Sequence, residues 1–355
     1  MIDFLVIGGG VAGLSTAARL SELGSVTVLE AEDQLGFHAS GRSAALFEEN
    51  YGNAAVVALN RASRDGLQPF LSPRGVLLIG TAETGDIFAA DQKAMKLQTL
   101  EVKNARAMMP ILADHIDRAA YHEDATDIDT DRLLTDFAKT IRANGGTILT
   151  KASVTGIRRT AQGWQVTTKD DVHDAKQLVN AAGAWADSIA RLAGMAPLGL
   201  QPKRRSMGRI PAPEAHDVAA WPMLFGPGED WYCKPDAGAL IVSPADEAHV
   251  DAHDAFADDM ALAEGFARFE AHTTVSVTRL LSSWGGLRTF ARDHALVLGP
   301  DPGDAAFIWV AGQGGYGFSS CFGASRLVHD IVSGMPPQLT DAEVAALSPA
   351  RFRVT

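Results

Sequence analysis

The 355-residue chain has two cysteines, Cys233 and Cys321. They make neither a disulfide framework nor a zinc site, and they suit a reducing cytosol. No apolar run reaches the length of a membrane-spanning helix. The N-terminus lacks the basic stretch of a signal peptide, and its apolar segment is broken by glycines. A cytoplasmic location with no transmembrane segment is expected, and peripheral attachment to a membrane is left open. Positive charge is scarce: 31 Lys and Arg stand against 43 Asp and Glu, for a formal charge of −12. The basic residues are scattered apart from Lys203-Arg204-Arg205. That balance argues against a nucleic-acid partner. Internal repeats and low-complexity linkers are absent too. What remains is ordinary globular composition, 46% hydrophobic, enough for two domains with cores.

The opening residues carry the strongest signal. Asp3-Phe-Leu-Val-Ile-Gly8-Gly9-Gly10-Val11-Ala12-Gly13 runs from an apolar strand through a glycine turn into a helix, and Ser25-Val-Thr-Val-Leu-Glu30 reads as a second strand ending in an acid. Gly8 permits the tight turn, Gly10 lets backbone approach a pyrophosphate, and Gly13 lets helix and strand pack closely. The helix N-terminus turns free N–H groups and a partial positive charge toward the phosphates. Glu30 lies 17 residues past Gly13, where an acid accepts the ribose 2′-OH, and Ala31 follows it. A dinucleotide site is expected.

Further along, Ser40-Gly41-Arg42-Ser43-Ala44-Ala45 reads as a glycine-containing turn and Val76–Ile79 as a strand. Residues 86–107 read as polar and largely helical. A helix should start at Thr130-Asp131, with Leu134, Phe137, Ala138 and Ile141 on one face, and end at Gly145-Gly146. Strands are expected near 147–158, 163–168 and 176–181, then a turn into a helix over 185–193. Residues 200–285, rich in proline and short strands, suggest a separate antiparallel sheet. Phe307–Val310 reads as a strand running into Ala311-Gly312-Gln313-Gly314-Gly315-Tyr316-Gly317-Phe318 and a helix to about Ser333. Nucleotide-site pieces thus fall at both ends and in the middle. A discontinuous nucleotide domain over 1–45, 130–200 and 286–355 is expected, with 46–129 and 201–285 forming the substrate domain.

On these segments the chain resembles the FAD-dependent D-amino-acid oxidase superfamily, and within it D-arginine dehydrogenase-like proteins. The matching stretches are Gly41–Ala45, Asp127–Asp131, Val179–Trp185, Pro197–Ser206, Lys234–Gly238, Trp284–Arg288 and Gln313–Gly317. The resemblance implies an α/β fold of the glutathione-reductase type, a Rossmann-like FAD domain with an inserted antiparallel-sheet substrate domain. It implies non-covalent FAD, with Ser40, Arg42, Ser43 and Ala44 along the pyrophosphate and isoalloxazine, Val154 at the adenine, and Ala182-Gly183 close by. The helix after Gly317 would face the reduced flavin's negative charge. Cys321 and His38 could carry a covalent flavin, but neither lies in a covalent motif.

The same resemblance implies oxidation of an amino acid by hydride transfer from Cα to flavin N5, giving an imino acid that hydrolyses to a 2-oxo acid and ammonia. The electrons would pass to a quinone, another carrier or O2. A substrate carboxylate calls for arginine, whose planar fork makes two charge-assisted bonds. Arg288 matches the family's carboxylate-binding arginine, and Arg205 is the second candidate. Tyr232, Tyr51 and Tyr316 are the candidate substrate-orienting tyrosines. The chain departs from the D-arginine pattern. The acid expected after Ser72-Pro73-Arg74 is replaced by Gly75-Val76-Leu77, and Leu46 stands where a histidine is expected, although Glu48 and Glu49 follow. An apolar wall does not repay the desolvation of a guanidinium, so neutral or hydrophobic D-amino acids, or related secondary amines, are expected substrates. A 2-hydroxy-acid dehydrogenase of the same superfamily and a flavoprotein without catalysis are the other readings. His249 and His253 would bind a metal together only on a helix, and no metal site is expected.

Overall fold

The computed structural model describes residues 1–352; residues 353–355, at the end of the expected nucleotide domain, lie outside the described residues. The first sheet is built on β1 (Ile2–Ile7) and β2 (Val26–Leu29), parallel to each other. β1 also pairs in parallel with Val172–Asn180, and β2 with Thr147–Leu149. The strand Asp304–Ala311 extends the sheet, parallel to residues 178–180. Residues 4–7 of β1 and all of β2 are buried, as expected of parallel strands covered on both faces. Between them α1 (Val11–Leu20) crosses over, and it packs against the helices Thr130–Ala143 and Cys321–Ser333.

The helix Thr130–Ala143 buries Leu133, Leu134, Phe137, Ala138 and Ile141, and Asp129 caps it by accepting the Arg132 N–H at 3.0 Å. Gly145, at φ +80°, then turns the chain out of it. The expected strand over 147–158 is two strands, Thr147–Leu149 and Val154–Thr160, which pair with different neighbours.

Among the described residues the second sheet has nine strands, and it differs from the expectation in three ways. One of its pairs, Met223–Phe225 with Val76–Gly80, is parallel. Two of its strands are long: Gln201–Pro211 pairs with Ser282–Phe290 over nine residue pairs. Residues 200–285 also contain a helix, Asp259–His272, started by the Asp258 cap on the Ala261 N–H. The stretch 86–107 is broken in the same manner: helices Gly85–Ala94 and Val102–Met108 flank the strand Gln98–Leu100, which adds to the sheet edge.

We propose that the chain divides into the nucleotide and substrate parts, with α2 (Ala54–Leu67) joining the nucleotide part. This helix, expected in the substrate part, buries Val56, Leu59 and Leu67 in the core cluster of the first sheet and lies on Cys321–Ser333. Gly323 allows this approach, since a Cβ there would stand 2.6 Å from the Leu59 carbonyl oxygen.

Asp187 fixes the crossing between the two sheets. Its buried carboxylate accepts the N–H groups of Leu198, Gly199 and Leu200, each at 2.9 Å. Asp187→Ala would leave three backbone donors without their acceptor at the entry to Gln201–Pro211. We expect a loss of about 2–4 kcal/mol in denaturant unfolding, with the flavin still bound before the transition. An unfolding midpoint equal to wild type would refute this role.

Candidate active site

A cleft of about 730 Å3 runs from the tips of β1 and β2 to the second sheet, within the usual size of a cofactor site. At its first end lie Gly8, Gly10, Val11, Ala12, Glu30, Ala31 and Val154. Gly8 is at φ +111°, and a Cβ at Gly13 would stand 1.9 Å from the Gly8 carbonyl oxygen, so the turn and the helix start exist only with glycine at both places. α1 has no side-chain cap, although the Val11 N–H donates to Ser40 Oγ at 2.9 Å. The other first-turn amides remain for an anion. Glu30 is buried and accepts the Gly9 N–H at 2.6 Å and the Glu32 N–H at 2.9 Å. It therefore shapes the glycine turn, and its remaining lone pairs are open to a hydroxyl.

The middle of the cleft is lined by Ser40, Arg42, Ser43, Ala182 and Gly183, and its far end by Gln313, Gly314, Gly315, Gly317, Phe318 and Arg288. Thr289 Oγ1 is buried there with no hydrogen-bond partner among the described residues. An uncapped helix start, a glycine cradle and an orphaned hydroxyl along one elongated cleft fit a dinucleotide with a polar ring system.

Several expected contacts sit behind the cleft surface. Gly13 and Gly41 act through packing: the Gly41 N–H donates to the Gly36 carbonyl at 2.6 Å. The Ala44 carbonyl, with that of Ala45, accepts from Lys234 Nζ at 2.8 Å. Gly312, at φ +71°, turns the chain from the strand Asp304–Ala311 into the loop. Arg42 lines the cleft, but its guanidinium is committed to protein: it donates to the Phe37, Ala255 and Gly285 carbonyls at 3.1, 2.6 and 3.0 Å and pairs with Asp254. It ties the nucleotide part to the second sheet. Cys321 is packed in the core, where burial pushes its thiol up and keeps it unreactive. His38 does line the cleft; its Nε2 lies 2.9 Å from Glu32 Oε1, and its ring is 4.6 Å from that of Trp185.

Arg288 faces the far end of the cleft. Its Nη1 lies 2.9 Å from where a Cβ of Gly315 would stand, so that glycine is required for the approach. Burial opposes the Arg288 charge, and the Tyr51, Tyr232 and Glu229 side chains more than offset it, keeping the guanidinium protonated. The Tyr51 and Tyr316 rings are 5.2 Å apart. Burial pushes both phenols up, so they act as neutral hydrogen-bond groups. The Tyr232 hydroxyl is buried without a partner among the described residues. Arg205 also reaches the cleft wall, but its Nη2 pairs with Glu247 at 3.1 Å and its Nε donates to the Asp246 carbonyl at 3.0 Å.

Sequence reasoning missed Glu229, whose Oε2 accepts the Tyr51 hydroxyl at 2.7 Å. Nothing in the stretch Gly226-Pro-Gly-Glu229 marks it, because the second sheet alone brings it to Tyr51. Glu48, by contrast, turns away: it is buried, accepts the Asn50 N–H at 2.9 Å and meets His122 Nδ1 at 2.5 Å. Glu49 pairs with Arg61 and Arg64. His249 lies in a two-residue strand and His253 in the loop beyond, so the helical spacing needed for a shared metal does not occur. Among the described residues no helix is long and apolar enough to cross a membrane.

Residues 3–331 match the family model described as FAD dependent oxidoreductase, and the chain belongs to this family. It is an FAD-binding flavoprotein of mixed α/β fold. Over 97% of its length it is 23% identical to a glycerol 3-phosphate dehydrogenase from Caloramator mitchellensis, covering 76% of that protein. It is equally identical, at 23%, to the sarcosine oxidase subunit beta of Rhodobacter capsulatus, covering 93% of this chain and 84% of that one. The crystal structure of glycine oxidase from Geobacillus kaustophilus superposes with a TM-score of 0.84 at 19% identity, covering 99% of both chains.

Proposed function

We propose that this flavoprotein oxidises a neutral or hydrophobic α-amino acid, or a related secondary amine, to the imino product, which hydrolyses to the 2-oxo acid. The observation that carries the reading is Arg288, a protonated guanidinium facing the far end of the cleft beside Gly315. The relatives named for sarcosine and glycine oxidation support an amine substrate. A phosphate-bearing substrate, as in the name of the glycerol 3-phosphate relative, would ask for more than one cation. Arg205 already carries Glu247, which leaves Arg288 matched to a single carboxylate.

FAD supplies the acceptor for the substrate's hydride. Arg288 fixes the carboxylate through its fork, so that one Cα substituent points along the cleft. Tyr51 and Tyr316 flank that carboxylate as neutral donors and acceptors, and the unpartnered Tyr232 hydroxyl adds a hydrogen-bonding group. Glu30 and Glu32, the acids that line the cleft, lie at the end remote from Arg288, so a cationic side chain pointing along the cleft gains no carboxylate partner beside the anchor other than Glu229, which the Tyr51 hydroxyl holds. A preference for the D enantiomer, and closeness to D-arginine dehydrogenase-like proteins, rest on the motif resemblance.

The test is anaerobic bleaching of the oxidised-flavin absorption band by a panel of D- and L-amino acids, N-methyl amino acids and 2-hydroxy acids. Neutral D-amino acids should bleach fastest, with slow return of colour in air. Arginine or lysine as best substrate would refute the neutral preference, and bleaching by 2-hydroxy acids alone would refute the amine reading.

A further inference from the structure

The proposed chemistry leaves Glu229 without a task. It sits at the end of the one-turn segment Pro227–Glu229, itself at φ +53° after Gly228 at φ +72°. A non-glycine residue in the left-handed region is held there by its surroundings. Asp91 does part of this by accepting the Gly228 N–H at 2.6 Å. The turn carries the carboxyl group to Tyr51, whose hydroxyl donates to Oε2 at 2.7 Å; among the described residues Oε1 has no hydrogen bond. The Arg288 guanidinium acts electrostatically on both Tyr51 and Glu229. A guanidinium and a carboxyl group thus lie beside one phenol. The remaining charged or titratable groups acting on Glu229 are Arg205, Asp91 and Tyr316. Burial pushes the Glu229 carboxyl up, against the pull of Tyr51, Arg288 and Arg205. Glu229 also lines an outer cavity of about 530 Å3 that shares Arg205 with the flavin cleft.

We propose that Glu229 binds the substrate's amino group and makes the site selective for a zwitterion over an acid that lacks the amine. The inference rests on the amino-acid reading above. An α-amino acid carries its negative carboxylate and positive ammonium on one carbon. The site offers a positive and a negative partner one phenol apart, with a free carboxylate oxygen on the negative one. A 2-hydroxy acid or simple carboxylate fills the Arg288 half and leaves Oε1 without a charged donor. Selectivity arises from the charge-assisted bond that only an ammonium provides.

The experiment compares holoenzyme and Glu229→Gln by two readouts: kcat/KM for the best neutral amino acid, and inhibition by an isosteric pair. The pair is 2-aminoisobutyrate, which has no Cα hydrogen to lose, and pivalate, with methyl in place of the amine. Wild type should bind 2-aminoisobutyrate at least about 10-fold more tightly than pivalate, the size of one charge-assisted hydrogen bond. In Glu229→Gln, kcat/KM and 2-aminoisobutyrate binding should fall about 30-fold while pivalate binding stays level or tightens. FAD content confirms that the variant is folded, and the wild-type pair stands alone if it is not. Equal binding of the two inhibitors by wild type overturns the proposal. So does an equal loss of both in the variant, which would make Glu229 a positioning residue for Arg288. A wild type that is bleached by 2-hydroxy acids and by no amine overturns the amine reading first, before any variant is compared.

Discussion

Arg288→Ala should lower kcat/KM for the best amino acid by about 10²- to 10³-fold and leave FAD bound in full. Arg288 lies at the far end of the cleft, and the side chains acting on it, Tyr51, Tyr232 and Glu229, lie outside the glycine turn that shapes the other end. Its loss leaves a substrate carboxylate desolvated without a cation, a penalty of about 3–4 kcal/mol in binding and orientation. Arg288→Lys should recover only part, because a point charge does not reproduce the two parallel bonds of the fork. Steady-state kinetics and the flavin spectrum of each variant settle the matter. Activity within a few-fold of wild type in Arg288→Ala would remove the proposed carboxylate anchor. Loss of FAD would show that the residue belongs to the cofactor site instead.

Gly13→Ala should abolish flavin binding. The new Cβ would stand 1.9 Å from the Gly8 carbonyl oxygen and 3.0 Å from its carbonyl carbon, both backbone atoms of a turn at φ +111°. Neither helix nor strand can move away, because α1 and β1 are packed into the same core. Gly10→Ala meets only Ser40 Oγ, at 3.1 Å, and should fold. It nevertheless puts a methyl group on the cleft wall where backbone must lie close to the ligand, so its FAD affinity should drop as well. The ratio of flavin to protein after purification measures both. A yellow, stoichiometric Gly13→Ala protein would refute this account of the glycine turn.

The first βαβ unit and the glycine loop at 312–317 were legible because their cause is local. A strand, a turn that needs glycine and a helix start lie within a few residues of one another, so spacing alone describes the geometry. Arg288 was legible through the motif Trp284–Arg288. Two parts of the second sheet were not. The strand Gln98–Leu100 looks polar on its own and forms only because the sheet edge at Arg118–His122 offers it partners. The helix Asp259–His272 was hidden in a stretch read as short strands, since its apolar side is narrow, with Leu262, Gly265 and Phe269 alone buried.

The glycine turn of the dinucleotide site was therefore decided by the amino-acid sequence itself, through contacts between near neighbours in the chain, while FAD and Arg288 were named through the motif resemblance. Tertiary structure alone decided which acids matter. Glu48 and Glu49 sit beside the expected substrate segment, yet His122 and the α2 arginines Arg61 and Arg64 draw them away. Glu229, 178 residues from Tyr51, is brought to it by the pairing of sheet strands. A carboxylate's role depends on which cation or donor reaches it, and the strand pairing that delivers that partner leaves no mark on the residues flanking the acid.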